Sequence, residues 1–190
     1  MSIFDHRTRS ERRKYREQML RRYQKQRQRN RLARPGCHDV IVVLDHLKAG
    51  YNVAKIFRSA EVFGAAEVQL IGIDAFDPAP AKGAFKQVPA RFPESFASAY
   101  RDLRERDYQV FYLTADSDRE QVQELVTTRF PRRSALVLGH EEHGLSFDPG
   151  RFEDLIGIRI RQFGRIESLN VSIAASLAMY EYARQWADRE

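Results

Sequence analysis

Three short polar clusters, each placed directly after an apolar run, are the parts of this 190-residue sequence whose types and spacing could do chemistry. The first holds Asn52 and Arg58 in NVAKIFR, where Asn52 is a plausible helix cap and the guanidinium either snorkels to the surface or grips a phosphate with its planar fork. In the second, GHEEHG, Gly139 and Gly144 bracket Glu141; the glycines let the backbone approach a ligand closely, and the carboxylate accepts hydrogen bonds from it. The third is residues 158–172, IRIRQFGRIESLNVS, where Gly164 permits a tight excursion, Ser168 stands where a helix would be capped, and Asn170 follows. A strand, a Gly loop with hydroxyl and amide groups, and a helix N-terminus together form a ligand cradle. Taken singly, each cluster reads equally well as an ordinary turn with solvated side chains.

Other chemistries lack their residues. No GxGxxG follows the first apolar run and no GxxxxGK[ST] occurs, so a nucleotide cofactor must be held by other means. His140 and His143 are spaced HxxH, without the HExxH pattern or a convincing third ligand, and no metal is expected. A single cysteine, Cys37, excludes an intrachain disulfide. There is no run of 18 apolar residues and the N-terminus is charged, which predicts neither a membrane span nor a secretion signal and makes the cytoplasm the default location.

The elements that must carry these clusters follow from periodicity. Apolar runs at 40–44, 68–73, 110–113, 135–138 and 155–160 predict strands. Helical spacing predicts helices over 53–63, 96–107 and 121–130, and an Ala-rich helix over 169–186. Such alternation implies an α/β fold, a mainly parallel sheet flanked by helices. Residues 74–93, rich in proline, form a long irregular connection of the kind that is usually functional or mobile. The charge is uneven: residues 1–34 carry 13 Lys or Arg against 3 acids, a balance of +10, whereas the remaining 156 residues carry 19 against 23, a balance of −4. Over 7–34, Tyr15, Met19, Leu20 and Tyr23 are spaced as one helical stripe, and Pro35-Gly36 ends the pattern. The division expected is a basic helical arm and hinge over 1–36 and one domain over 37–190. A cationic helix suits phosphate binding with salt-dependent affinity, and its tyrosines either stack on bases or dock the helix.

The clusters occur in the order NxxxxxR, GxExxG and GxxxSLN, and in that order the chain resembles the SpoU-type, or TrmH-like, RNA ribose 2′-O-methyltransferases of the SPOUT superfamily. The matching residues are Asn52, Arg58-Ser59-Ala60 and Phe63-Gly64; Val137-Leu138-Gly139, Glu141 and Gly144-Leu145-Ser146; and Ile160, Gly164 and residues 168–175, SLNVSIAA. The resemblance covers roughly residues 39–187 and leaves out the basic arm.

It implies a C-terminal deep trefoil knot, a departure from the rule that chains do not thread, with S-adenosylmethionine lying bent within it. Thr114 and its loop, Gly139, Gly144, Ile160 and Leu169 would bind that cofactor. The resemblance also implies a homodimer through the knot helices, with Asn52 and Arg58 helping to complete a site with the partner subunit. Arg58 would hold the target phosphate and activate the ribose hydroxyl, since arginine is a poor base at its ordinary pKa. Asn52, Glu141, Ser168 and Asn170 would orient Arg58, the nucleotide and the loops. The expected partner is tRNA or rRNA. A catalytically silent knotted RNA-binding or ribosome-assembly protein is the competing reading, and the presence of all these polar groups speaks against it. Three departures from the family pattern stand out: Ala54 in place of glycine, Arg161-Gln162 in place of Pro-Met, and no proline before Asn52.

Overall fold

The computed structural model describes residues 8–115, 122–166 and 168–187. Seven strands form one parallel sheet in the order β3-β2-β1-β6-β4-β7-β5: β1 His38–Asp45, β2 Ala65–Ile71, β3 Ala90–Arg91, β4 Gln109–Leu113, β5 Val122–Glu124, β6 Ser134–Leu138 and β7 Ile156–Arg159. The helices are α1 Arg9–Asn30, α2 Tyr51–Val62, α3 Phe96–Glu105 and α4 Val171–Trp186.

The central strand β1 shows why this sequence makes two layers of helices. Its alternate side chains enter opposite cores, because successive residues of a strand point to opposite faces. Val40, Val42 and Leu44 join α2 residues Val53, Ile56 and Phe57 and α4 residues Ala175, Ala178 and Met179 on one face. Ile41 and Val43 join α3 residues Phe96, Ala99 and Leu103 on the other. A sheet covered on both faces is the ordinary state of parallel strands, and it leaves their C-terminal ends as the accessible edge.

Several boundaries and one element differ from the sequence-based expectation. The helix expected over 121–130 is absent from the described part of that stretch, 122–130; Val122–Glu124 instead pairs in parallel with Gly157, Ile158 and Arg159 of β7. Two features favour the strand. The Arg159 guanidinium binds Glu124 across the pair at 2.7 and 3.0 Å, and the Thr127 and Thr128 hydroxyls both donate to the Glu124 carbonyl, turning the chain. Leu125 and Phe130 still reach the core, so the apolar spacing was real although the period was not helical. Within the irregular connection, residues 79–81 and 84–86 form 3-10 turns and β3 closes the sheet edge.

Helix α1 begins at Thr8 in a capping box with Glu11 and lies along this connection. The inner face continues the expected stripe: Tyr23 is buried, stacked on Phe85 and edge-on to Phe76, both with ring centroids at 5.4 Å. Asn30, also buried, donates to the Phe85 and Val88 carbonyls at 2.5 and 2.7 Å and accepts from the Ala90 N–H at 3.0 Å. Nearer the N-terminus, Tyr15 donates to Asp77 at 2.9 Å, and Arg22 pairs with the same carboxylate. Burial and the Asp77 carboxylate push the Tyr15 phenol up to about 12. An exposed ion pair contributes about 0–1 kcal/mol, whereas each aromatic pair adds about 0.5–1.5 kcal/mol beyond the area it buries. Tyr23 and Asn30 therefore hold the helix more than Arg22 does.

Replacing Asn30 leaves two carbonyls and an N–H without their partner. Asn30→Ala is expected to destabilise the protein by about 1–3 kcal/mol, read as a lower urea midpoint at an unchanged slope.

Candidate active site

Strands β6, β4 and β7 are neighbours, so the loops that leave their C-terminal ends meet above the sheet. There they enclose a cavity of about 550 Å³, within the range of small-molecule sites. Thr114, Gly139, Gly144, Ile160 and Leu169 all line it, as do Glu141, Ser168 and Asn170. Eight of the ten residues singled out in the sequence thus share one wall system; Asn52 and Arg58 lie outside the lining.

The loop after β6 is closed on itself. His140 and Gly144 exchange backbone hydrogen bonds at 2.8 and 2.9 Å, and a Cβ on Gly139 would stand 2.5 Å from the Gly144 carbonyl carbon. Gly144 itself has φ +69°, a conformation that suits glycine. His140 Nδ1 accepts from the Glu142 and His143 N–H groups at 3.0 and 3.3 Å, and the two imidazoles stack with centroids 4.6 Å apart. Asp45, fully buried at the end of β1, anchors the loop from below: its carboxylate accepts from the Ser146 N–H at 2.6 Å, from the Ser146 hydroxyl at 2.8 Å and from His46 Nδ1 at 2.8 Å.

Asn52 ties this loop to the next. Its amide donates to Glu141 at 2.8 Å, and its carbonyl oxygen accepts from the Asn170 amide at 3.2 Å. Asn170 in turn accepts from the Ser172 N–H at 3.0 Å and hydroxyl at 2.6 Å. The helix expected to start at Leu169 under a Ser168 cap therefore starts at Val171 under Asn170. Likewise Gly50, without a side-chain cap bond, is the N-cap of α2, which leaves the Asn52 side chain in the first turn free to bridge. Ser168 lines the cavity as an exposed residue.

Arg58 is exposed on α2 and forms no ion pair with the described residues. It lies six residues beyond Asn52, about 9 Å along the helix axis and about 240° around it, so the two side chains leave α2 in different directions. Sequence reasoning missed the staples beneath the site. Asp45 was visible only as a carboxylate ending an apolar run. Lys48, which donates its N–H to Glu141 at 3.4 Å and its ammonium to Glu142 at 2.5 Å, carried no signal at all.

Known proteins resemble this chain in sequence and in fold. The model of the SpoU rRNA Methylase family matches residues 39–180. The chain belongs to that family. It is 33% identical over 150 residues to an Archaeoglobus fulgidus protein described as an uncharacterized tRNA/rRNA methyltransferase, a match covering 76% of this chain and 64% of the relative. To the tRNA (guanosine(18)-2′-O)-methyltransferase of Thermus thermophilus it is 28% identical, covering 77% of this chain and 75% of the relative. The match to the 23S rRNA (guanosine-2′-O-)-methyltransferase RlmB of Nitrosomonas europaea is 30% identical and covers 79% of this chain and 58% of the relative. Among solved structures, the A. aeolicus TrmH/SpoU tRNA modifying enzyme superposes with a TM-score of 0.72 at 21% identity, covering 87% of this chain and 84% of that one, which shows the shared fold.

The electrostatics of Glu141 set a pH dependence. Burial pushes its carboxyl up, but the Asn52 amide, backbone N–H groups and the nearby His140 outweigh this and hold it below its ordinary value of 4.5. A carboxylate with a depressed folded-state pKa adds stability above its unfolded value and loses it as pH falls through the folded value. Glu141→Gln should therefore lower the thermal midpoint at neutral pH by more than it does at the acid end of the folded range. Equal losses at both pH values would contradict this role for Glu141.

Proposed function

We propose that this protein is an S-adenosylmethionine-dependent RNA methyltransferase that methylates a ribose 2′-hydroxyl of tRNA or rRNA in the cytoplasm. The observation that carries the proposal is one cavity at the ends of three parallel strands, with the hydrogen-bonded chain Glu141–Asn52–Asn170 at its rim. Its size suits a nucleoside-sized ligand, and its lining combines the apolar side chains Leu113, Leu138, Ile160 and Leu169 with the glycine-bearing main chain of the loop after β6. Gly139, Thr114, Ile160 and Leu169 would hold the cofactor. Bound there, S-adenosylmethionine supplies an activated methyl group, so the protein's task is alignment and charge management. The printed names of the relatives, tRNA and 23S rRNA guanosine 2′-O-methyltransferases, favour the same chemistry.

Within this reading Glu141 is an anion held low by its donors, a fixed acceptor that positions Asn52 and the loop. Arg58, exposed and without a carboxylate partner among the described residues, would take the phosphate of the target nucleotide. Its absence from the lining of its own cavity is the reason to expect that the site is completed by a second copy. Helix α4 presents Ile173, Leu177 and Tyr180 on one exposed, uncharged stripe, and Val62 of α2 is also exposed; such a stripe suits burial against an identical helix in a homodimer knotted as the family resemblance implies. A catalytically silent scaffold has no need of the polar chain around Asn52.

The basic helix would guide the RNA. Arg16, Arg21, Lys25 and Arg29 are exposed along α1, while Tyr15 at its near end lies beside Tyr51, the residue before Asn52. These exposed cations thus lead along the helix toward the site.

Two measurements test these assignments. Arg58→Ala should abolish methyl transfer to bulk tRNA and rRNA while leaving cofactor affinity by calorimetry intact; full activity would remove Arg58 from the mechanism. Arg16→Ala, Arg21→Ala and Lys25→Ala combined should make the plot of log affinity for RNA against log salt shallower by about 2. An unchanged slope would show that α1 does not meet the phosphates.

A further inference from the structure

The loop between β7 and α4 exposes what a folded protein normally covers. Phe163 is 90% exposed and Ile166 81%. Arg161 and Arg165 flank Phe163 within the same short segment, and neither forms an ion pair among the described residues. The Arg161 guanidinium carbon lies 5.6 Å from the centroid of the Phe163 ring, close enough for a cation–π contact. This cluster adjoins the cavity directly, because Gln162, between Arg161 and Phe163, and Ser168, just beyond Arg165, line the wall.

We propose that Arg161, Phe163 and Arg165 form a stacking platform that receives an unpaired RNA base next to the nucleotide to be modified. The proposal rests on the methyltransferase reading for the role of the cavity, but not for the platform's own affinity. An open aromatic face with arginines beside it matches the two surfaces of a single-stranded nucleotide, its flat base and its phosphate. The charge selects this occupant over a second copy of the chain: the apolar stripe of α4 at Ile173, Leu177 and Tyr180 carries no charge, whereas identical loops meeting across an interface would bring four arginines together. A base in a duplex has no free face to offer, so the platform favours RNA whose target nucleotide lies in a loop or other unpaired stretch.

The test uses the full-length protein and fluorescently labelled oligoribonucleotides, one unpaired and one a duplex of the same sequence. Phe163→Ala is expected to weaken binding of the unpaired strand by about tenfold and that of the duplex far less, with Phe163→Trp restoring affinity. Methyl transfer to bulk tRNA or rRNA by the same Ala variant should show a raised KM for RNA at an unchanged kcat. Unchanged affinity for the unpaired strand overturns the proposal. So does a loss of S-adenosylmethionine affinity as the main effect, which would make the segment part of the cofactor site, or a shift toward monomer in sedimentation, which would make it an interface. Wild-type protein that binds the unpaired strand through Phe163 yet transfers no methyl group would sink the enzyme reading and leave the platform standing.

Discussion

The candidate site depends on one neutral amide, Asn52, joined at once to a loop and to a helix cap. Its suitability lies in polarity. The Ser172 N–H donates to Asn170 Oδ1 and so fixes which way that amide faces, leaving Asn170 Nδ2 to donate to Asn52 Oδ1. Asn52 must then present Nδ2 to Glu141, an acceptor. The chain therefore has one direction, from the N-terminus of α4 to an anion at the cavity rim. A carboxylate at position 52 could accept from Asn170 but would face Glu141 as a like charge. An apolar residue would satisfy neither neighbour. Such one-way networks hold geometry because reversing any member strands a donor against a donor.

Beneath the network, the parallel sheet supplies the alignment. Strands β1, β6, β4 and β7 run side by side in one direction, so the ends of all four present loops on one edge. Three of these loops are fastened, each by a different device. The one after β6 is closed by the His140–Gly144 pair and rooted on buried Asp45, the one after β1 by Lys48 on Glu141 and Glu142, and the last by the Asn170 cap. Asp45 matters most for rigidity, since a fully buried carboxylate would be costly without donors and here receives three.

Much of this was legible in the amino-acid order. Apolar runs of strand length, three of them leading into a polar cluster, marked the strand ends where parallel sheets bind ligands, and eight of the named residues do meet at one cavity. What escaped was decided by tertiary pairing. Residues 122–124 have helical apolar spacing around them, yet they became a strand because β7 offered an unpaired edge and Arg159 a partner for Glu124. Ser168 and Asn52 both have good capping chemistry; the caps went to Asn170 and Gly50, and Asn52 is instead committed to Glu141 and Asn170. The seat of α1 was half visible. Its tyrosine stripe could be read, but the polar anchor Asn30 finds its partners some 55 to 60 residues away, at separations no local pattern reports.

The same contrast bears on how the two halves of the site can work together. The cavity side is over-determined: its glycines, its capped helix and its directed hydrogen bonds leave little freedom. The side proposed to meet RNA is not. Arg58, Arg161, Phe163 and Arg165 are all exposed and form no ion pair among the described residues, and exposed arginine and phenylalanine side chains keep most of their rotamer entropy until something binds them. A rigid pocket favours a small ligand of one shape, whereas loose cations and an open ring favour a partner whose backbone repeats and whose bases vary. On that division, discrimination between RNAs would come from which strand can bring an unpaired base to Phe163 while its phosphate reaches Arg58. It would not come from hydrogen bonds read inside the cavity.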